Sequence, residues 1–407
     1  MDELREGLMG NTCIAETSID RYSPRLIQNE GAERIPLSGS LELTFRCNHR
    51  CVHCYCNKPT NDTQEKEREL STTEVCHILD DLAKEGCLWL LLTGGEPLVR
   101  EDFADIYLYA KKKGFLITLF TNGTLMTPSL ADFLEEFPPR LIEITLYGIT
   151  EKTYEAMTRS AGSYRRCRNG IDLLMERNLP LKLKTVATRL NQHEFMDIKR
   201  FVENLGLEFR FDALINGGID HREHLKELRI SPREVVELDL TDPRRGPDFV
   251  RLYDRASGLK LDPDLLFQCG AGVNSFHIDP YGRLMLCIMA RDPSFDLRGG
   301  LFRTGWHGFL PRIREQTLRE ENECVECDLR PICDQCPGWS QLEWGDQEMV
   351  VDYLCEVAHL RAEACGIESP GLDNQSMGQS SEVDNPLTAQ LNLGPGFAIY
   401  PIDESII

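Results

Sequence analysis

The fold of this 407-residue chain is decided by the stretch Leu41-Glu-Leu-Thr-Phe-Arg-Cys47-Asn-His-Arg-Cys51-Val-His-Cys54-Tyr-Cys56. Its alternating apolar residues, Leu41, Leu43 and Phe45, predict a short β-strand that leads into a loop. The first three cysteines have the spacing C-x3-C-x2-C. Three thiolates on one short loop can bind three irons of a cubane cluster and leave the fourth iron open for a ligand. A zinc site and three buried structural cysteines are the alternatives.

A second motif, Thr93-Gly94-Gly95-Glu96-Pro97, follows one predicted strand later. Together with the cysteine triplet, it resembles the signature of radical S-adenosylmethionine (SAM) enzymes. The resemblance implies that Cys47, Cys51 and Cys54 bind a [4Fe-4S] cluster and that residues 93–97 receive the amino group of SAM. Glycines let the backbone approach a ligand, and Glu96 can pair with an ammonium group.

Predicted strands and helices alternate from residue 40 to residue 216. Apolar runs predict the strands, and amphipathic stretches with capping residues predict the helices between them. This alternation indicates a parallel sheet with right-handed crossovers. Six such units fit the α/β fold that the resemblance implies, which is a partial (βα)6 parallel barrel. The predicted strands after the first are 88–92, 116–120, 141–146, 181–186 and 207–214.

In such a sheet, functional residues lie at the carboxyl ends of the strands. Asn122 ends the third predicted strand and is a candidate SAM contact. The resemblance implies that the backbone of His53 meets the adenine and that Thr145 lies where relatives contact the ribose. For Thr145 the alternative is an ordinary strand-end residue. Arg159 could bind the SAM carboxylate, and its rivals are Arg165, Arg166 and a solvated helix face.

A second cysteine-rich region begins at Cys269. Cys269, Gly282 and Cys287 have the form C-x12-G-x4-C, and residues 276–287 predict a β-hairpin with 279–282 as its turn. With five later cysteines, this set resembles the SPASM extension, which holds auxiliary [4Fe-4S] clusters in radical SAM enzymes that act on peptides. A zinc-ribbon-like knuckle is the alternative, because paired C-x2-C motifs also suit tetrahedral zinc. The later cysteines are Cys324, Cys327, Cys333, Cys336 and Cys355.

The resemblance implies two auxiliary clusters. One takes Cys269, Cys287 and Cys336 and has a non-cysteine or open fourth ligand. The spacing before Cys336 departs from the family, since two residues stand where three are usual. The second cluster takes the remaining four cysteines, Cys324, Cys327, Cys333 and Cys355.

Besides Cys13 in the N-terminal extension, five further cysteines lie outside these sets. Cys76 and Cys167 fall within predicted helices, where a free cysteine usually packs in the core. Cys56 adjoins the first cysteine loop, and Cys365 is a candidate for a missing cluster ligand. The fifth is Cys87.

Composition excludes several kinds of partner. The formal net charge of -21 argues against binding to the phosphate backbone of nucleic acid. Sixteen cysteines, repeated C-x2-C spacings and the lack of a secretion-signal pattern indicate metal binding in the reducing cytoplasm. The longest apolar runs are too short to cross a membrane.

The chain divides into five predicted segments. The first is an N-terminal extension, 1–39, and the second is the barrel, 40–216. A connecting segment, 217–268, carries frequent proline, glycine and charge. The cysteine-rich domain, 269–365, precedes a tail, 366–407, whose Ser, Asn, Gly and Pro content predicts flexibility.

The resemblance also implies a reaction. Members of this kind cleave SAM reductively to a 5′-deoxyadenosyl radical, which abstracts hydrogen from a ribosomally made peptide or protein to crosslink, oxidise or epimerise it. Auxiliary clusters would take part in electron transfer or substrate binding. The expected partners are a peptide or protein substrate, a separate leader-peptide-binding protein, and a reductant such as ferredoxin or flavodoxin.

Three other reactions or roles differ in how well they fit the sequence. Sulfatase-maturing relatives use a carboxylate soon after the second SPASM cysteine, but here Ile288 follows Cys287 and the nearest acid is Asp292, so that chemistry is disfavoured. Decarboxylation of tetrapyrrole side chains is one alternative function. A non-catalytic iron-sulfur electron-transfer protein is the other.

Overall fold

A nine-stranded sheet organises the part of the chain that the computed structural model describes, residues 34–56, 58–219, 223–256, 264–319 and 322–368. The predicted extension up to residue 33 and the tail from residue 369 lie outside the described residues. The strands are β1 Ser38–Glu42, β2 Arg46–Cys47, β3 Lys58–Pro59, β4 Trp89–Thr93, β5 Leu116–Thr121, β6 Leu141–Thr145, β7 Leu181–Val186, β8 Glu208–Asp212, β9 Ser275–Ile278, β10 Arg283–Met285 and β11 Phe295–Asp296. The strand order of the large sheet is β11-β10-β9-β1-β4-β5-β6-β7-β8, while β2 and β3 form a separate two-stranded sheet.

Six of these strands, β1 and β4 to β8, are parallel neighbours in chain order, and helices connect them. This confirms the predicted α/β class with its parallel sheet. The helices are α1 Thr63–Arg68, α2 Thr72–Lys84, α3 Phe103–Lys112, α4 Pro128–Glu136, α5 Glu151–Thr158, α6 Ser163–Glu176, α7 Phe195–Asn204, α8 Pro232–Asp239, α9 Arg245–Ala256, α10 Phe302–Thr304, α11 Leu310–Arg314, α12 Pro337–Trp344 and α13 Asp352–Cys365.

Local sequence explains where the helices begin. Ser71 caps α2 in a capping box with Glu74, and Ser231 does the same for α8 with Glu234. Pro128 stands at the first position of α4, where the missing N–H costs nothing. The starts of these three helices are therefore marked in the local sequence.

The two faces of the parallel sheet differ in polarity. Strand residues such as Leu92, Ile117 and Leu183 share one buried core with the apolar sides of the helices. On the opposite face, the alternate residues of β6, β7 and β8 are largely charged; we call this part of the sheet the polar face. On it, Glu143 pairs with Lys184 at 2.8 Å and with Arg210 at 3.2 Å. The core is therefore built between sheet and helices, which leaves the polar face free to line a site.

The first strand is displaced from its predicted position. It begins at Ser38 and ends at Glu42, so only Leu41 of the three predicted strand residues lies within it. Leu43 and Phe45 are also buried. They follow the ladder, because the chain after Glu42 turns towards the cysteine loop.

The cysteine-rich segment shares the sheet of the barrel. Its hairpin, β9 and β10, contains the predicted turn, in which the Asp279 carboxylate accepts hydrogen bonds from the N–H groups of Tyr281 and Arg283. Strand β9 pairs in parallel with β1, from Ser38 opposite Ser275 to Leu41 opposite Ile278. The hairpin thus extends the parallel sheet at its β1 side.

The connecting segment covers the other end of the sheet. Helices α8 and α9 lie in it, and Arg245 of α9 donates a 2.6 Å hydrogen bond to the carbonyl oxygen of Phe211 in β8. Arg361 of α13 pairs with Asp239 of α8 at 2.9 Å. These contacts cap the last strand and tie the segment to the C-terminal helix.

Substitution of Gly39 by alanine should destabilise the β1–β9 pairing. A Cβ at Gly39 would overlap the buried ring of Phe276, and overpacking of this kind costs about 1–3 kcal/mol. The thermal unfolding midpoint should fall. Gly299→Ala is the control, because the nearest atom to its Cβ would be 3.7 Å away, and an equal fall in both variants would contradict the prediction.

Candidate functional site

The first cysteine loop follows the carboxyl end of β1 and begins in β2, which contains Cys47. Its backbone is held by α5, since Arg50 N–H donates to the carbonyl of Thr158 at 3.0 Å and Val52 N–H to that of Met157 at 2.9 Å. The Sγ of Cys47 accepts a 3.3 Å hydrogen bond from the N–H of His49. A compact loop of this kind presents its cysteines to one side.

The three predicted thiols of this loop lie together. Burial raises the pKa of Cys47 to about 12, with further contributions from Glu96 and Cys54. Burial raises the pKa of Cys51 too, and Cys54 and Cys47 add to it. Buried thiolates that repel one another need a bound cation to stay ionised. Cys47, Cys51 and Cys54 therefore form a donor set that suits an iron-sulfur cluster.

Gly94 and Gly95 bring a second loop against the first. The N–H of Gly95 donates to the carbonyl of Thr44 at 2.7 Å, and that of Glu96 to the carbonyl of Arg46 at 3.0 Å. A Cβ at Gly94, whose φ is +139°, would overlap the Thr44 carbonyl oxygen. The close neighbours of the glycines are thus backbone atoms of the cysteine segment.

Glu96 joins this loop to the end of β5. Its buried carboxylate accepts hydrogen bonds from Asn122 N–H at 2.6 Å, Thr121 Oγ1 at 2.7 Å and Leu98 N–H at 3.1 Å. Burial raises the pKa of Glu96 to about 7. Pro97, also buried, begins a short 3-10 turn. Pairing of Glu96 with the amino group of SAM stays a prediction.

Asn122 contacts the cysteine loop directly. Its Nδ2 lies 2.8 Å from Asn48 Oδ1 and 3.9 Å from Cys47 Sγ. Asn48 in turn donates a 2.8 Å hydrogen bond to Thr124 Oγ1. This amide network orients the loop around Cys47. Asn122 therefore has a structural role in addition to its predicted contact with SAM.

The remaining candidate SAM contacts surround the same loop. The ring of His53 packs 4.9 Å from that of Tyr147, and burial lowers the pKa of His53 to about 4. Thr145 ends β6, two residues before Tyr147. Exposed Arg159 has a left-handed backbone with φ 49°, which is unusual for a bulky residue, and directly follows Thr158 of the loop anchor.

The rivals of Arg159 are placed differently from each other. Arg165 lies on an exposed surface with Glu151, 3.4 Å away. Burial lowers the pKa of His49 to about 4, and the charge of Arg166 contributes, so Arg166 lies near the cysteine loop. Arg159 and Arg166 both remain candidates.

The seven later cysteines form two groups in space. We call Cys269, Cys287 and Cys336 the first auxiliary group. Burial raises the pKa of Cys336 to about 12, and the next contribution comes from Cys287, with a smaller one from Cys269. Hydrogen bonds of 3.3 Å from Ala290 N–H to Cys287 Sγ and from Trp339 N–H to Cys336 Sγ favour thiolates here. The altered spacing before Cys336 has not moved it away from the other two.

The second auxiliary group contains Cys324, Cys327, Cys333 and Cys355. Burial raises the pKa of Cys324 to about 11, with contributions from Cys327 and Cys355. It raises that of Cys333 to about 12, where Cys324 and Cys355 contribute. Cys365 lies beside Asp239 and Arg361 instead.

No described cysteine forms a disulfide, and in the described ranges no three Cys, His, Asp or Glu side chains converge tightly enough to hold one metal ion. Each cysteine of a four-iron cluster binds a different iron, so cluster ligands stand further apart than the ligands of a single ion. Both auxiliary groups and the first loop have the donor chemistry that such clusters require.

A buried polar cluster next to the loop was not anticipated from the sequence. The fully buried carboxylate of Glu42, at the end of β1, accepts hydrogen bonds from Tyr55 at 2.6 Å, His277 at 3.0 Å and Arg291 at 3.0 Å. We call these four residues the Glu42 junction. The available signal was an acidic residue between Leu41 and Leu43 at a strand end.

Asp292, the nearest acid after Cys287, is exposed.

A three-thiol loop and a Gly-Gly loop packed together at the carboxyl end of a parallel sheet define a radical SAM enzyme. A family model described as the radical SAM superfamily matches residues 41–202. The AdoMet-dependent heme synthase of Methanosarcina barkeri is 31% identical over 325 residues, 75% of this chain and 92% of that protein. The chain therefore belongs to the radical SAM superfamily, whose members use a [4Fe-4S] cluster and SAM, and its C-terminal region is of the SPASM type.

Two other known proteins are similar to this chain. The mycofactocin maturase MftC of Mycobacterium ulcerans is 28% identical over 327 residues, 77% of this chain and 86% of that protein. Streptococcus suis SuiB, in a structure bound to S-adenosylmethionine, matches with a TM-score of 0.61 at 15% identity over 87% of this chain and 86% of that one. SuiB shares the fold, and another of its structures holds the precursor peptide SuiA. Among the described residues, no helix has both the length and the apolar character to cross a bilayer.

Substitution of Gly94 by alanine should disrupt the junction of the two loops. Overlap with the Thr44 carbonyl, together with the positive φ, should cost at least about 2 kcal/mol and lower the iron content after reconstitution. Gly114→Ala is the matched control, because Gly114 also has positive φ (+91°) but no atom lies within 4 Å of its Cβ position. Equal losses of thermal midpoint and iron in both variants would refute the loop-packing role.

Proposed function

We propose that this chain is a SPASM-type radical SAM maturase that modifies a ribosomally made peptide or protein. In this proposal Cys47, Cys51 and Cys54 bind the SAM cluster, and the first and second auxiliary groups bind one [4Fe-4S] cluster each. The observation that carries the proposal is the separation of ten cysteines into three groups of nearby thiols, one beside the Gly94–Gly95 loop. With cluster and SAM bound, the first site supplies a 5′-deoxyadenosyl radical.

The chain's own residues then bind and orient. Residues 94–97, Asn122 and Thr145 lie at the ends of three adjacent strands, β4, β5 and β6, where a ligand would span them. His53 and its neighbour Tyr147 would form the wall for the adenine, and Arg159 or Arg166 would pair with the SAM carboxylate. Burial of the loop excludes water from the reacting centre.

A peptide substrate is favoured by the lining of the polar face. The ion-paired Glu143, Lys184 and Arg210 lie on three successive strands of this face. Polar walls suit a peptide, whose backbone amides need hydrogen-bond partners when they leave water. The similarity to a mycofactocin maturase supports the same substrate class. We propose that a separate leader-peptide-binding protein presents the substrate and that a ferredoxin or flavodoxin supplies electrons.

The charged residues that follow Cys287 in the first auxiliary group favour some of the proposed reactions over others. Asp292 is exposed, and the first buried charged residue after Cys287 is the cation Arg291. A base for removing a substrate proton is therefore not supplied at this position. This favours formation of a crosslink or inversion of a centre over an oxidation that needs a carboxylate there.

A tetrapyrrole substrate is the second candidate. It is favoured by the 31% identity to an AdoMet-dependent heme synthase. The arginine and lysine of the polar face would then pair with the acid side chains of the macrocycle.

The cluster assignment predicts a defined iron count. About twelve irons per chain should fall to about eight when Cys47, Cys51 and Cys54 are replaced by alanine, and production of 5′-deoxyadenosine should cease. Cys287→Ala should also retain about eight irons but keep SAM cleavage. Anaerobic iron and sulfide analysis with chromatography of 5′-deoxyadenosine measures both. About four irons plus zinc in the unaltered chain would remove the auxiliary clusters from the proposal.

Isotope transfer separates the two substrate classes. The enzyme is incubated with SAM, reductant and an unfractionated extract from deuterium-labelled source cells, and deuterium in 5′-deoxyadenosine is measured by mass spectrometry. We expect transfer that prior protease treatment of the extract abolishes. Transfer that survives protease and is reproduced by iron coproporphyrin would instead establish the tetrapyrrole reaction. Cys76→Ala, outside all three groups, is the control variant.

A further inference from the structure

The Glu42 junction connects the first cysteine loop to the first auxiliary group. Tyr55 stands between Cys54 and Cys56 in the loop, and its hydroxyl donates to Glu42. On the other side, Arg291 follows Cys287 by four residues and donates to both carboxylate oxygens of Glu42, at 3.0 and 3.2 Å. A short buried route therefore runs from one proposed cluster site to the other.

The junction is an ion pair held out of water. Three of its four side chains are almost fully inaccessible, 8% exposed for Arg291 and 0% for Glu42 and His277, while Tyr55 is partly buried. Although burial alone would raise the pKa of Glu42, Arg291 and His277 hold it at about 2. The attraction to Glu42 outweighs burial for Arg291 as well, and raises the pKa of its guanidinium above the usual range. Arg291 is therefore a permanent cation at this place.

The charge of Arg291 also acts on two cysteine thiols. Burial raises the pKa of Cys287, and the Arg291 charge acts in the opposite direction. The contact with Cys54 and burial raise the pKa of Cys56, and Arg291 again opposes the rise. The sulfurs of Cys54 and Cys56 are 3.9 Å apart. One cation thus lies within electrostatic reach of Cys287 in the first auxiliary group and of Cys56 beside the first cysteine loop.

The hydrogen bonds to Glu42 use only one of the three guanidinium nitrogens of Arg291, Nη2. The Nε and Nη1 of Arg291 are buried and have no hydrogen-bond partner among the described residues. Unpaired buried donors are costly, so a purely structural ion pair would be expected to satisfy them. Reduction of a cluster adds a negative charge to it, and a nearby cation with free N–H donors favours the reduced form.

We propose that Arg291 is a positioning residue that sets the reduction potential of the cluster bound by the first auxiliary group and links that cluster to the loop of the SAM cluster through Glu42 and Tyr55. This inference rests on the proposed function, because it needs an auxiliary cluster at Cys269, Cys287 and Cys336. It adds a residue and a property to that site. Glu42 opposes the charge and holds the guanidinium in place.

Midpoint potentials of the reconstituted full-length chain test the inference. They are measured by redox titration monitored by electron paramagnetic resonance, and the relevant signal is the one that Cys287→Ala removes. We expect a lower midpoint for that signal in Arg291→Gln, a value close to the unaltered chain in Arg291→Lys, and a higher midpoint in Glu42→Gln. Arg177→Gln, whose side chain pairs with Asp132 away from the cysteines, controls for the change in net charge.

The midpoint potential should fall when the positive charge of Arg291 is removed and rise when the negative charge of Glu42 is removed. A junction with only a structural role would not give these opposite shifts. Full iron loading of Arg291→Gln with an unchanged midpoint would overturn the inference. If Arg291→Gln fails to load iron, Glu42→Gln and Arg291→Lys decide, and a midpoint that does not rise in Glu42→Gln refutes the role. A signal absent from the unaltered chain is a different outcome, since it refutes the auxiliary cluster of the proposed function and this inference with it.

Discussion

Strand β1 is hydrogen-bonded along both edges, and the rest of the structure depends on this double pairing. On one side, Ser38 to Glu42 align with Trp89 to Thr93 of β4. On the other, Ser38 to Leu41 align with Ser275 to Ile278 of β9. Because ladder registers are set residue by residue, the cysteine loop after β1 has a fixed position relative to the Gly94–Gly95 loop and to the hairpin that carries Cys287. The positions of the cysteine loop, the Gly94–Gly95 loop and the hairpin that carries Cys287 are thus all set by pairing with the same strand.

The interior beside β1 combines features that are costly unless they are matched. Glu42 and His277 are fully buried, yet every charge or donor that they present meets a partner in Tyr55, Arg291 or Ser40. The Gly94–Gly95 loop achieves a backbone contact that any side chain would prevent. Burying these polar groups costs the protein little stability as long as every partner is present. Removal of a single partner leaves a buried polar group without a hydrogen bond, which is destabilising. The same packing that fixes the site therefore makes it sensitive to substitution.

Much of this fold follows from local sequence, and the rest depends on contacts far apart in the chain. The strand 181–186 was predicted with its observed bounds, and the helix starts at Ser71 and Thr127 follow from capping residues. The grouping of the later cysteines came from family resemblance, since spacing alone cannot tell which thiols meet. The attachment of the hairpin to β1 was missed, because a hairpin sequence does not specify which strand it will join. The position of the first strand was wrong by several residues, because both faces of 41–46 are buried and alternation there does not mark the ladder. The role of Arg291 could not be predicted from the residues around it, because its partner Glu42 is far away in the sequence.

The pairing of β1 with β9 has a consequence for synthesis on the ribosome. Ser40 and its partner His277 are 237 residues apart, so one edge of β1 stays open while most of the chain is made. An open edge beside buried apolar strands is a template for pairing with another nascent chain. Overproduction would therefore expose this edge for longest in molecules whose translation stalls before the hairpin. Slower initiation, or a chaperone that shields extended segments, should then raise the yield of folded enzyme more than stronger expression does.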